Sequence, residues 1–380
     1  MTAAEPILSP TKMNYDGRKP IIEKIESLRG GRKLVCFFNF DRGSEPAIPG
    51  LSTQFHSDVK EALFRVLKET NAGASGIDLC LYTRGGDTNS VWPIVNLVRE
   101  FDPDFQVLVP FRCHSSGTLV ALGAKKIVLG PISELSPIDP TTGNQFNPPD
   151  PADVRSRLAI SVEDVRAYKS FVCEQLKLDL DKKDSESSQR LQPFMDRLVQ
   201  NVHPLALGNV HRVLMQIKQL AVNLLKLNPH SGENVDKIVE SLTTEFYSHV
   251  HMISRDEAKK ILGERIVFSS NELAVAMDEL LRAYEDSFRL RKFFFLNALL
   301  GDKPQAQVRF IGGVAESCAR SYLFETEAIV RQYSKLAQNV QVQIPAGQPM
   351  PLIPGLPRET QVEVIGQGWT YNKEPRGVTL

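Results

Sequence analysis

The amino-acid sequence predicts an α/β protein organised around a parallel sheet, and three observations carry that expectation. Apolar runs of strand length at 33–40, 77–82, 105–111 and 126–129 alternate with helix-period runs at 56–69, 90–101 and 115–125. The run at 33–40, Lys-Leu-Val-Cys-Phe-Phe-Asn-Phe, is nearly unbroken in its apolar character, as in strands buried on both faces. The turns at 82–87 and 113–118 each follow a strand and open a helix with Gly, Ser and Thr. Strands alternating with helices of this length pair in parallel through right-handed crossovers.

Taken in order, residues 1–30 read as a polar N-terminal arm ending in a short helix around 21–28. The strand at 33–40 follows, and Val59, Leu63, Val66 and Leu67 then recur at helical spacing through 56–69. After the strand at 77–82, Ser90 is placed to cap a helix whose apolar face is Trp92, Ile94, Val95, Val98 and Phe101. The strand at 105–111 leads into Ser115, and Gly117 to Ala124 supplies a helix of small and apolar residues that can pack closely on a sheet. The strand at 126–129 closes this series. Residues 131–156, with Pro131, Pro137, Pro140, Pro148, Pro149 and Pro151, form a long loop of the kind often used for binding.

From 161 the pattern turns helical, at 162–176, 191–227 and again over 237–300, with a charged, Ser-rich loop at 178–188. Ser254 and Glu257 match a capping box. The prolines from 345 to 357 mark an extended tail before a strand-like 361–365. The expected division is therefore an arm at 1–30, a main domain with a helical extension at 31–330, and a Pro-rich tail at 331–380.

At 380 residues the chain is long enough for one large domain or two smaller ones. Lys+Arg 45 against Asp+Glu 45 leaves no global basic field to attract nucleic acid or an anionic membrane. The first residues lack the apolar core of a secretory signal, and no stretch approaches the roughly 18 apolar residues of a membrane span. The scattered cysteines, Cys36, Cys80, Cys113, Cys173 and Cys318, read as reduced residues of a cytoplasmic protein. No Gly-x-Gly-x-x-Gly follows a strand and no metal-ligand spacing occurs, so neither a nicotinamide cofactor nor a metal is expected.

The chemistry concentrates in the two turns. Gly85 and Gly86 can turn the backbone so that an N–H faces a bound carbonyl. Ser115 opens a helix, where unpaired N–H groups and the helix dipole favour developing negative charge. Adjacent parallel strands finish at one edge of a sheet, which would bring the Gly-Gly turn beside the serine.

These segments resemble the Clp/crotonase superfamily, and within it the SDH family of Clp-fold serine proteinases, with signal peptide peptidase A and the Clp proteolytic subunit as more distant relatives. The resemblance rests on 81–86 (Leu-Tyr-Thr-Arg-Gly-Gly), on 115–124 with 126–131 after it, and on 135–140 (Leu-Ser-Pro-Ile-Asp-Pro). It continues through 203–209 and through 247–249 ahead of 253–263, covering roughly residues 33 to 330. It implies a Clp/crotonase-like curved parallel sheet with ββα units and a mainly helical C-terminal half.

It also implies Ser115 as nucleophile, with Ser116 as the alternative, an oxyanion hole at the Gly85-Gly86 turn whose N–H donors are Gly85 and Ser116, a peptide or protein substrate, and a homo-oligomer. Relatives deprotonate the serine with a histidine–aspartate pair or with a lysine. No histidine lies between His114 and His203, where the Clp subunit's histidine is expected. Two candidates for the base follow: His249, just before the segment that borders the site in relatives, and Lys169, 54 positions beyond Ser115. His114, at a strand-to-helix bend, is expected to diverge from Ser115, and His203 and His211 read as packing or surface groups. The alternatives are a crotonase-like enzyme whose oxyanion hole holds an acyl-CoA thioester, which makes Ser115 unnecessary, and a non-catalytic assembly protein of the same fold.

Overall fold

The computed structural model describes residues 14–45, 54–138, 141–151, 156–178, 185–244, 246, 251–335, 352–353 and 355–372. The chain divides into two compact units, Met1–Glu134 with Ile266–Leu380, and Leu135–Arg265.

In the first unit the N-terminal helix is longer than its apolar residues indicate. α1 spans Tyr15–Leu28, capped by Asn14, whose Oδ1 accepts the Gly17 N–H at 3.0 Å. Ile22 and Ile25 are buried, and so is Arg18, paired with Glu316 at 2.7 Å. β1 is Lys33–Asn39, α2 Val59–Thr70, β2 Ile77–Tyr82, α3 Val91–Phe101, β3 Gln106–Val109, α4 Ser116–Leu122 and β4 Lys126–Leu129. The α/β alternation is thus present, with local corrections. The strand at 105–111 ends at Val109, because Pro110 has no N–H to continue a ladder, and resumes as a two-residue strand at Arg112–Cys113. Ser90 does not cap α3 through its side chain; its hydroxyl donates to the Asp87 carbonyl at 2.6 Å, and the Asp87 carboxylate instead caps a short 3₁₀ turn at Thr88–Ser90.

The second unit is mainly helical: α5 Val162–Leu176, α6 Ser185–Asn201, α7 Pro204–Lys226, α8 Val235–Thr244 and α9 Arg255–Leu262. The single helix expected over 191–227 is broken at Pro204, which takes the first helical position, while His203 caps it by accepting the Leu205 N–H at Nδ1. Ala206, Val210, Leu214, Ile217, Ala221, Leu224 and Leu225 form the buried stripe of α7. The Ser254–Glu257 capping box is present at the start of α9. Arg265 is buried and held by Glu233 and by the carbonyls of Leu225 and Asn228.

The chain then returns to the first unit as β5 Ile266–Phe268, α10 Asn271–Phe288, α11 Leu296–Leu300, β6 Gln305–Glu316, β7 Ser321–Ser334 and β8 Arg358–Tyr371. The sheet has eight strands in the order β5-β4-β3-β2-β1-β6-β7-β8. The first five in that order run parallel, and β6, β7 and β8 add antiparallel strands beyond β1. Both faces of β1 are covered. Leu34, Cys36 and Phe38 pack with Ile22 and Ile25 of α1 and with Leu280 and Tyr284 of α10, while Phe37 lies 5.0 Å from the Phe55 ring and 5.9 Å from the Trp369 ring. This explains the nearly continuous apolar run at 33–40. The five cysteines are free. Among the described residues, no helix is long and apolar enough to cross a membrane.

Candidate active site

The site lies in the first unit where the chain leaves β2 and the short Arg112–Cys113 strand. Thr83 bridges Cys113 in parallel: its N–H donates to the Arg112 carbonyl at 2.9 Å, and its carbonyl accepts the His114 N–H at 3.0 Å. These two rungs bring the Gly-Gly turn and the serine side by side. On the other side Phe55 pairs with the turn, its N–H donating to the Gly85 carbonyl at 2.9 Å and its carbonyl accepting the Asp87 N–H at 2.7 Å. In such a pairing the N–H and carbonyl of the intervening residue, Gly86, face away from Phe55. The Gly86 carbonyl accordingly accepts the Ser116 hydroxyl at 2.7 Å.

Ser115 has φ 49° and ψ −113°, a conformation sparsely populated by side-chain-bearing residues, and it makes no side-chain cap to α4. Such strain persists only where the surroundings over-determine it. Here Leu119 N–H donates to the Ser115 carbonyl at 3.1 Å, and Gly117 N–H donates to the His114 carbonyl at 2.8 Å. Gly85, at φ +107°, lies directly against the serine: a Cβ on Gly85 would sit 2.7 Å from Ser115 Cβ and 3.2 Å from its Oγ. Only glycine fits this approach.

The backbone donors divide sharply. The Gly85 N–H is engaged by Thr83 Oγ1 at 3.0 Å. The N–H groups of Gly86 and Ser116 donate to no acceptor among the described residues.

Charge is gathered around the serine strand. Arg112 pairs with Asp41 at 2.6 Å and with Glu134 at 3.3 Å, and its guanidinium lies 4.7 Å from the Phe111 ring centre. The His114 Nε2 also lies 3.1 Å from Glu134 Oε1. Burial pushes the Glu134 carboxyl above its usual range, against the opposing pull of Arg112. Burial likewise raises the Tyr82 phenol, which donates to Asp41 at 2.9 Å.

Of the residues singled out from sequence, Ser115, Ser116, Gly85 and Gly86 are therefore together. Lys169 is exposed on α5 in the second unit, and His249 lies outside the described residues. His203 is a helix cap and His211 is exposed on α7. Thr83, Asn39 and Glu134 were not legible as site residues. Asn39 is a polar residue at the end of an apolar strand run, Thr83 lies inside the 81–86 motif with no mark of its own role, and Glu134 falls in the 131–156 loop.

Comparison with known proteins follows the same segment. The chain is 26% identical over 186 residues to an uncharacterized protein of Methanocaldococcus jannaschii, MJ0137, a match that covers 49% of this chain. It spans about half of that curated relative's length, 51%. Among solved structures, a ClpP1 mutant from Listeria monocytogenes aligns over 67% of this chain and 99% of its own, with 12% identity and a TM-score of 0.33. Residues 7–165, the span that holds both the Gly-Gly turn and Ser115, match the family described as ClpP-like SDH-type serine proteinase, the same family that 81–86 and 115–131 resemble.

Proposed function

We propose that this protein is a serine peptidase in which Ser115 is the nucleophile and the N–H groups of Gly86 and Ser116 form the oxyanion hole. The family match supports a serine peptidase at family level. The observation that carries the finer reading is the strained Ser115 backbone, set against Gly85 and flanked by two undonated N–H groups. Gly85, the donor that the resemblance implies beside Ser116, has its N–H engaged by Thr83 Oγ1, so in this reading Gly86 takes that role instead.

In this reading Ser115 Oγ adds to the carbonyl carbon of a peptide bond and gives its proton to a base. The carbonyl oxygen becomes an oxyanion that accepts the Gly86 and Ser116 N–H groups, each worth about 3 kcal/mol in the transition state. Collapse breaks the C–N bond, the leaving amine takes the proton, and water then hydrolyses the acyl-enzyme. The base is His249 or Lys169, a choice that rests on the sequence. The substrate is a peptide or protein, the protein works as a homo-oligomer, and its compartment is the cytoplasm.

The test is labelling with a fluorophosphonate, with peptide hydrolysis measured in parallel. Wild type is expected to label at Ser115, and Ser115→Ala to lose both labelling and hydrolysis while keeping its fold. Labelling at another residue, or binding of acyl-CoA thioesters with no labelling at any pH, would overturn the reading.

A further inference from the structure

We propose that Thr83 is the positioning residue of this site: its hydroxyl takes the Gly85 N–H out of play and so assigns the oxyanion hole to Gly86 and Ser116. The inference rests on the peptidase reading and goes one step beyond it.

Thr83 is fully buried and bonded at once to the end of β1, to the serine strand and to the Gly-Gly turn. Its backbone N–H and carbonyl hold the serine strand, through Arg112 and His114. Its hydroxyl accepts the Gly85 N–H at 3.0 Å and lies 3.1 Å from Asn39 Oδ1, at the end of β1, to which it donates. Asn39 is itself buried. A hydroxyl has one proton to give, and its nearer acceptor is Asn39 Oδ1 at 3.1 Å rather than the Gly85 carbonyl at 3.4 Å, so a lone pair remains for the Gly85 N–H. The γ-methyl also has a place: a Cβ on Gly117 would come within 2.5 Å of Thr83 Cγ2, so the methyl fills the space that this glycine leaves in α4.

The need for such a residue comes from the glycines. At φ +107° and +151° Gly85 and Gly86 are in backbone regions open only to glycine, and the Phe55 pairing holds the Gly85 carbonyl and turns the Gly86 N–H away from Phe55 but gives the Gly85 N–H no strand partner. Preorganised donors accelerate a reaction only if they do not have to reorient when charge develops. A fixed acceptor on the first N–H supplies that preorganisation. Removing it leaves a buried N–H without a partner, which the turn can relieve by rotating the Gly85 peptide.

The experiment compares Thr83→Val, which keeps the shape and deletes the hydroxyl, with Thr83→Ser, which keeps the hydroxyl and deletes the methyl. Rates are normalised to active sites titrated with a fluorophosphonate. The expected result is a fall in kcat of about tenfold or more for Thr83→Val, KM within about twofold, and recovery in Thr83→Ser to within about threefold of wild type. Wild-type kcat in Thr83→Val, or equal loss in both variants, would overturn the assignment.

A second measurement works on the unmutated chain and covers the case in which Thr83→Val does not fold. In protein labelled with ¹⁵N-glycine and ¹⁵N-serine, a peptide boronate that forms a tetrahedral adduct should shift the Gly86 and Ser116 amide signals strongly and leave Gly85 little changed. A large shift at Gly85 with none at Gly86 would refute the proposal. Ser115→Ala separates the two levels: hydrolysis retained in Ser115→Ala removes the peptidase reading and this inference with it, whereas an inactive Ser115→Ala beside a fully active Thr83→Val removes the inference alone.

Discussion

The Ser116 hydroxyl donates to the Gly86 carbonyl across 2.7 Å, a direct bond between the helix that follows Ser115 and the Gly-Gly turn beside it. Both residues contribute the N–H groups assigned to the oxyanion, so this bond fixes the spacing between the two donors. Ser116→Ala should therefore do more than remove a buried hydroxyl. The expected outcome is a loss of about 1 kcal/mol of stability from the lost bond and a several-fold drop in kcat, far short of the loss in Ser115→Ala. Urea unfolding and steady-state kinetics on the same preparations check both. Full activity in Ser116→Ala would show that the donor spacing does not depend on this bond.

Gly85 gives a sharper steric prediction. Its Cβ would meet Ser115 Cβ at 2.7 Å, and its φ of +107° already excludes ordinary side chains. Gly85→Ala should lower kcat by about 100-fold or more, because either the turn or the serine must move from the reacting position. Gly143→Ala, where a Cβ meets nothing within 4 Å, is the control and should leave the rate unchanged. Equal rates in the two variants would separate the turn from the chemistry.

Much of this site is legible in the sequence. β2 falls at 77–82 and β4 at 126–129, as their apolar runs indicate, and the helical spacing of Val59, Leu63, Val66 and Leu67 marks the buried face of α2. Gly-Gly and Ser-Ser-Gly after successive strands pointed to a shared edge, which the Thr83–Cys113 bridge supplies. β6 and β7 show neither an unbroken apolar run nor an unbroken alternation: Gly312 and Gly313 interrupt β6, and Glu325, Glu327 and Arg331 break β7 into short apolar pieces, so neither reads as a strand from sequence. Thr83 escaped for a different reason. A side chain that accepts a backbone N–H two residues on leaves no periodic trace, and only the positions of Asn39 and Gly85 disclose its role.

Away from the site, Arg18 and Glu316 form a buried ion pair that ties α1 to β6. Arg18 Nε and Nη2 reach the two Glu316 oxygens at 2.7 and 2.8 Å, and Tyr284 and Ser321 hydroxyls donate to the same carboxylate. Arg18→Met strands a fully buried carboxylate and should destabilise the protein by about 3–5 kcal/mol. Adding Glu316→Gln should return a large part of that loss, since the cost lies in the uncompensated charge. Denaturant unfolding of the single and double variants tests this. Equal stability of Arg18→Met and wild type would mean that water reaches Glu316.

Glu134 sets a pH dependence with a definite sign. Burial holds its folded carboxyl above the ordinary value of 4.5, so the stability contributed by the neutral form is present below that value and is lost as pH rises through the folded pKa. Glu134→Gln has no such titration. As pH is raised from about 4 to 7, the Tm of Glu134→Gln should gain on that of wild type. A gap that stays constant, or one that moves toward wild type, would show that the pull of Arg112 and Arg84 offsets the burial.

The two proposed bases, His249 and Lys169, predict different pH–rate profiles. A histidine with an ordinary pKa of about 6.5 gives a rate that climbs through pH 6–7, because only the neutral ring accepts the serine proton. A lysine base acts only once desolvation brings its amine near the working pH, and its rise falls higher. His249 is the favoured candidate, since its segment abuts 253–263, the stretch that borders the site in the proteins this chain resembles. The pH–rate profile of wild type beside His249→Gln and Lys169→Met decides the matter: His249→Gln should lose the limb at pH 6–7 and most of its rate, with Lys169→Met unaffected. The reverse pattern transfers the role to Lys169, and wild-type rates in both variants across pH 6–9 would remove both residues from the mechanism.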